Sequence, residues 1–178
     1  MNRIHIVGRK NHGKTTLIVE LLHELRGRGV RVGSIKHSSH AHELDTPGKD
    51  SHRHRQAGAE PASIVTPESI GVFLPRPTMS VYDLLEPLYT NCELVVVEGH
   101  IEAAGNKVEV WRAAMGTPCL ATEHADILAV ISDDQPPVSV PVWPRGDITR
   151  LGDHILALCQ IHSTTHDTLP WPAKKEGP

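Results

Sequence analysis

No stretch of this sequence carries the ~20 consecutive apolar residues that a membrane-crossing helix needs, so the chain reads as soluble. Cysteine is scarce: Cys92, Cys119 and Cys159 are odd in number, far apart and form no Cys-x-x-Cys pair. That excludes a disulfide framework and points to reduced thiols in a cytoplasm. A basic excess is missing too. The formal net charge is -3, which speaks against a nucleic-acid binder, since such proteins are usually strongly basic. A signal peptide is not expected, because residues 3–7 already read as a strand running into a glycine loop. Internal repeats are absent as well. What is present is 178 residues, enough for one domain that buries roughly 70% of its unfolded surface without help from a metal or disulfide.

Along the chain, short apolar runs alternate with helical patterns. Residues 4–7 form an apolar run that ends at Gly8. Leu17, Ile18, Leu21, Leu22 and Leu25 then recur at helical spacing over residues 15–28, and Gly27 and Gly29 stop that helix. A second strand is expected over 30–35, a polar loop over 38–48 and a short helix over 49–57. Further strands are expected at 62–65, 71–74, 94–97, 108–111 and 127–131. Ser80 is expected to cap a helix through residue 88, and residues 148–158 read as a last amphipathic helix. Strands alternating with helices predict a three-layer α/β/α fold with a largely parallel sheet. The expected organisation is a nucleotide-binding domain over 1–160 and a flexible tail over 161–178.

The most informative stretch is Gly8-Arg9-Lys10-Asn11-His12-Gly13-Lys14-Thr15. It fits Gly-x4-Gly-Lys-Thr without mismatch, with a strand before and a helix after, which is a phosphate-binding P-loop in its proper context. Backbone amides of such a loop converge on phosphate, and the first turn of the helix adds its unpaired N–H groups and positive dipole end. Gly8 and Gly13 allow the close approach, and Asn11 tolerates positive φ better than most residues. Lys14 is expected to bridge the β- and γ-phosphates and the Thr15 hydroxyl to bind Mg²⁺, with Thr16 beside it at the helix start. A glycine turn bearing an exposed lysine would call for neither the strand nor the helix.

A Mg²⁺–nucleotide site also needs a carboxylate at the end of a neighbouring strand. Glu98, closing the run Leu94-Val95-Val96-Val97 and followed by Gly99, supplies it. Asp45 and Asp50 are further candidate acids on the loop after the second strand. That region is rich in histidine (His37, His40, His42, His52, His54) and in cations (Lys36, Lys49, Arg53, Arg55). His37-x-x-His40-x-His42 could hold a transition metal. The mixture of cations reads first as an anion- and effector-contacting loop, with Lys36, His37, Lys49 and Asp50 among the contacts.

Several blocks together resemble a known family: Ser34-Ile35-Lys36-His37, Leu44-Asp45-Thr46-Pro47-Gly48-Lys49-Asp50-Ser51, Arg53-His54, Ala57-Gly58-Ala59, Val96-Val97-Glu98-Gly99, Lys107-Val108-Glu109-Val110-Trp111-Arg112 and Ala129-Val130-Ile131-Ser132-Asp133. In this order they are similar to the molybdopterin-guanine dinucleotide biosynthesis adaptor family, MobB. The resemblance covers most of the chain up to Cys159. It implies a homodimeric, GTP-binding P-loop protein of weak GTPase activity. It also implies a partner, the MobA-type guanylyltransferase that attaches GMP to molybdopterin. From the loop chemistry, Lys14, Glu98 and Asp45 are the candidate residues for hydrolysis.

Two departures stand out. The family commonly has an aromatic residue and a lysine after Glu-Gly, whereas this chain has His100-Ile101. The Asn-Lys-x-Asp guanine reader of many GTPases is absent, leaving Asp133 and Asp147 as candidates. Two other functions fit a P-loop: a nickel metallochaperone-type GTPase using the histidine-rich loop, and a small-molecule kinase. The first lacks its usual cysteine ligands, and Arg145 and Arg150 alone do not make the arginine-rich lid of the second.

Overall fold

A computed structural model describes residues 1–41 and 43–161. His42 and, from residue 162 on, the expected tail lie outside the described residues. Chain contacts divide the molecule into two compact units, one formed by Met1–His37 together with the chain from Leu88 onward, the other by Ser38–Pro87.

The first unit is built on a six-stranded sheet in the order β2-β5-β1-β6-β7-β8. Its strands are β1 (Arg3–Val7), β2 (Val32–Lys36), β5 (Leu94–Glu98), β6 (Asn106–Val110), β7 (Ile127–Ile131) and β8 (Val142–Trp143), and every pairing is parallel. All strand ends therefore point the same way, and Val7, Lys36 and Glu98 finish along one edge. Ile4, Ile6, Val96, Val108, Val110, Ala129 and Ile131 face helices α1 (Lys14–Gly27) and α4 (Ile148–Leu158), forming one continuous core. Leu17, Leu21 and Leu25 of α1 are fully buried there, each contributing about 1.5–3 kcal/mol of burial energy.

The opposite face holds alternate residues of the same strands and is partly polar. His5, Lys107 and Glu109 are all buried on it. Lys107 is paired with Asp126, and Glu109 accepts hydrogen bonds from the Leu120 and Ala121 amides at 2.8 and 2.9 Å. A segment with two short 3-10 turns, Ala113–Met115 and Leu120–Thr122, packs here, and Trp111, Cys119 and Val130 form a second small core. Burial pushes the Cys119 thiol up to about 12 and that of Cys159 up to about 11, so both stay protonated.

Of the element bounds that differ from expectation, among them the strand expected at 108–111 and found at Asn106–Val110, two differ for identifiable reasons. The strand expected from residue 30 begins at Val32 because the Val30 amide closes the end of α1, donating to the Leu25 carbonyl at 3.0 Å, beside a Gly29 N–H to Arg26 bond. The helix expected after Ser80 is α3 (Val81–Leu85), replaced by a 3-10 turn over Glu86–Tyr89. Pro87 has no N–H for the next α-helical bond. The Ser80 side chain makes no capping bond; its carbonyl receives Asp83 and Leu84 instead. The two-residue strand β8 is too short to leave a pattern in the sequence.

The second unit contains α2 (Asp50–Gln56) packed on β3 (Ala62–Val65), which pairs antiparallel with β4 (Ile70–Phe73) through the turn between Thr66 and Ser69. The Arg55 guanidinium lies 4.7 Å from the centre of the Phe73 ring and also binds Glu43.

Candidate functional site

The loop between β1 and α1 has the backbone that phosphate binding requires. Gly8 has φ 139°, and a Cβ there would stand 2.5 Å from the Val110 carbonyl oxygen, so no larger residue fits without moving β6. Asn11 has φ 68° and Gly13 φ 92°, both left-handed. These reversals fold the loop back over the first turn of α1. That turn has no side-chain cap and no acidic residue, whereas α4 is capped by Asp147, which accepts from the Arg150 amide at 3.0 Å. The α1 N–H groups are thus left for an anion.

The side chains expected around that loop come together in part. Glu98, at the end of β5, accepts from the Thr15 hydroxyl at 2.9 Å and from the Lys36 ammonium at 3.2 Å. Lys36 reaches it because β2 and β5 pair with Lys36 opposite Glu98. The Lys14 ammonium donates to the carbonyl of Arg9 at 2.8 Å, inside its own loop. Burial lowers its pKa, with Glu98 opposing that shift. Lys10, Asn11 and Thr16 are exposed.

His12 has a different place from the rest of the loop. It is 1% exposed, its Nδ1 accepts from the Arg112 amide at 3.0 Å, and its Nε2 is 2.9 Å from the Thr117 hydroxyl. Since the amide can only donate, the neutral ring carries its proton on Nε2 and donates it to Thr117. Burial, then the nearby cations, lowers its pKa in keeping with that. The His12 side chain braces the loop from below, so only its backbone N–H is left to face phosphate.

Beside Glu98, His37 and His100 stack with ring centroids 3.8 Å apart and planes 8° from parallel, and His100 holds a left-handed φ of 62°. The imidazole of His100 thereby fills the position after Glu98-Gly99 with a flat ring. Asp45, Lys49 and Asp50 belong to the second unit. There Asp45 accepts from the Thr46 amide and the Ser51 hydroxyl at 2.8 and 3.0 Å, fixing the turn into α2, and Lys49 and Asp50 begin that helix. Among the described residues no group of three or more His, Cys, Asp and Glu side chains could hold a metal ion.

A model of one family, molybdopterin guanine dinucleotide synthesis protein B, matches residues 3–133. The chain belongs to the MobB family. A relative from Escherichia coli called a molybdopterin-guanine dinucleotide biosynthesis adapter protein is 30% identical over 153 residues, covering 83% of this chain and 87% of that protein. One of the same description from Haemophilus influenzae is 35% identical over 115 residues, covering 64% and 65%. Among solved structures, a MobB homolog from Bacillus stearothermophilus superposes with a TM-score of 0.63 at 26% identity, over 90% of this chain and 99% of that one.

Family membership accounts for the α/β fold. It leaves unexplained what sequence reasoning also missed: Glu123 binds Arg9 at 3.2 Å, and Glu109 is the anchor of the turn that presents Glu123. The two charges at alternate positions of a strand pattern, Lys107 and Glu109, were the available signal.

Proposed function

We propose that this protein is a GTP-binding adaptor in molybdenum cofactor biosynthesis, assisting the attachment of GMP to molybdopterin to form molybdopterin guanine dinucleotide. The observation that carries the nucleotide part is the Thr15–Glu98–Lys36 cluster at the mouth of a loop already shaped by Gly8, Asn11 and Gly13. These residues fit a triphosphate with Mg²⁺: a hydroxyl and a carboxylate 2.9 Å apart are hard oxygen donors suited to the ion, and the uncapped amides of α1 suit phosphate. Lys14 would exchange the Arg9 carbonyl for phosphate oxygen, and Glu98 would orient the ion's waters. When bound, the ion supplies charge neutralisation at the phosphates. For Lys49, Asp50 and Asp45 the support is the family motif alone.

The adaptor role is supported by the names of the relatives, and GTP over ATP by the same kinship. The partners that follow are the MobA-type guanylyltransferase, molybdopterin and a second copy of the chain, working in the cytoplasm; no described helix is long and apolar enough to cross a membrane. The deciding experiment is a titration with GTP, GDP and ATP, with and without Mg²⁺. Magnesium-dependent binding that favours GTP is expected. No triphosphate binding at all would remove the proposal, and equal affinity for ATP would remove its guanine part. Sedimentation with GTP at micromolar concentration tests the homodimer, which a purely monomeric species would exclude.

A further inference from the structure

Arg9 stands inside the phosphate loop, yet its side chain is held by a different part of the molecule. Its Nη2 donates to both carboxylate oxygens of Glu123, at 3.2 and 3.4 Å, and its Nε donates to the Pro118 carbonyl at 3.3 Å. We infer that Glu123 is a positioning residue for Arg9: it holds the guanidinium against the 117–123 segment and competes for it with the phosphates of a bound nucleoside triphosphate. This inference rests on the phosphate-site reading above and adds a control on that site.

Three observations carry it. The first is that the place where Arg9 rests is built rather than incidental. Glu123 follows the turn Leu120–Thr122, whose Leu120 and Ala121 amides are fixed by the fully buried Glu109 carboxylate. The Glu123 amide closes the turn onto the Leu120 carbonyl at 2.8 Å, and the Thr122 hydroxyl donates to the Cys119 carbonyl at 2.6 Å. With the Glu123 backbone held by this turn, the pair must stretch or break when Arg9 swings toward phosphate.

The second observation is exposure. The Arg9 and Glu123 side chains are 38% and 52% exposed, and ion pairs in contact with water are weak enough to exchange partners. A triphosphate presents more negative charge than one carboxylate, in a geometry the guanidinium fork matches. The third is that Arg9 and Lys14 are linked. The Lys14 ammonium rests on the Arg9 carbonyl, so the phosphate that draws Lys14 away also frees the Arg9 backbone. His12, which bonds Thr117 of the same segment, keeps the rest of the loop in place meanwhile.

The test is a double-mutant cycle in GTP affinity, measured at low salt on the full chain. Glu123→Gln should bind GTP about two- to five-fold tighter than the parent, the size set by an exposed pair. Arg9→Ala should bind more weakly than the parent, and Arg9→Ala/Glu123→Gln should match Arg9→Ala. The gain should shrink at high salt as the pair is screened. Glu123→Ala serves as a second variant, and an unchanged thermal midpoint shows that neither acts through the fold. Unchanged or weaker affinity in both Glu123 variants overturns the inference, as does an equal gain without Arg9. Lys14→Ala separates the two readings. If the parent binds GTP and Lys14→Ala does not, a silent Glu123→Gln defeats this inference alone; a parent that binds no triphosphate defeats both.

Discussion

At the scale of single residues the site is a set of charges with provisional partners. Lys14 bonds a carbonyl of its own loop, Lys36 and Thr15 share Glu98, and Arg9 leans on Glu123. None of these contacts buries an apolar group, so removing one should change binding more than folding. Lys14→Ala should lower GTP affinity at least a hundredfold, an estimate in line with about 3 kcal/mol for a charge-assisted bond, with the thermal midpoint within a few degrees of the parent. Unchanged affinity in a folded variant would falsify the phosphate-loop assignment. Glu98→Gln separates grip from chemistry, because the amide still accepts from Thr15 but no longer carries charge. Hydrolysis should fall by about 10²-fold or more while GTP affinity falls several-fold at most. Hydrolysis at the parental rate would transfer the role to another acid, Asp45 or Asp50.

Among the elements, the 112–123 segment decides how the loop is held. Cys119 and Ala121 pack it into the small core with Trp111 and Val130, and polar bonds fix its path: Glu109 to two amides, His12 to Thr117, and the Trp111 indole N–H to the Thr117 carbonyl at 2.8 Å. Glu109 is the keystone because it is buried and serves both amides of the turn. Burial raises its pKa, and the two amide bonds pull the other way. Glu109→Ala leaves two part-buried N–H groups without this acceptor, so a loss of about 1–3 kcal/mol is expected. Urea unfolding measures it, and a loss below 1 kcal/mol would mean that the turn finds other acceptors. Here the sequence was a poor guide. Glu109 stood in an apparent strand, inside a block that resembles the family, but nothing in the local pattern says which amides a buried carboxylate will meet.

For the whole molecule, acid is the informative stress. His5 lies fully buried in the middle of β1, its Nδ1 3.2 Å from the Gly99 carbonyl, and burial lowers its pKa to about 4. A histidine depressed in this way binds fewer protons folded than unfolded between about 4 and 6.5, so stability rises with pH across that window. On lowering the pH from 6.5 toward 4, His5 alone should remove on the order of 3 kcal/mol, and the depressed His12 acts in the same direction. Glu109, with its raised pKa, opposes them in the carboxylate range. The expected outcome is a urea midpoint that drops between pH 6.5 and 4.5 while the His5 ring resonance stays untitrated above pH 5.5. A His5 resonance titrating near 6.5 would show that burial does not control it.

The amino-acid sequence by itself determined the glycine loop between β1 and α1, its flanking strand and helix, and the acid at the end of β5. Those features are local: a glycine pattern, a 3.6-residue apolar period and a β-branched run act over a dozen residues or fewer. It also determined the α/β class, since alternation of strands and helices leaves few other ways to bury the apolar faces. Only the tertiary structure decided the strand order that sets Lys36 opposite Glu98, the stack of His37 on His100, the buried seat of His12 and the hold of Glu123 on Arg9. Each joins side chains 60 to more than 100 positions apart, and which distant groups meet depends on how the parallel strands cross over, a property no local period encodes.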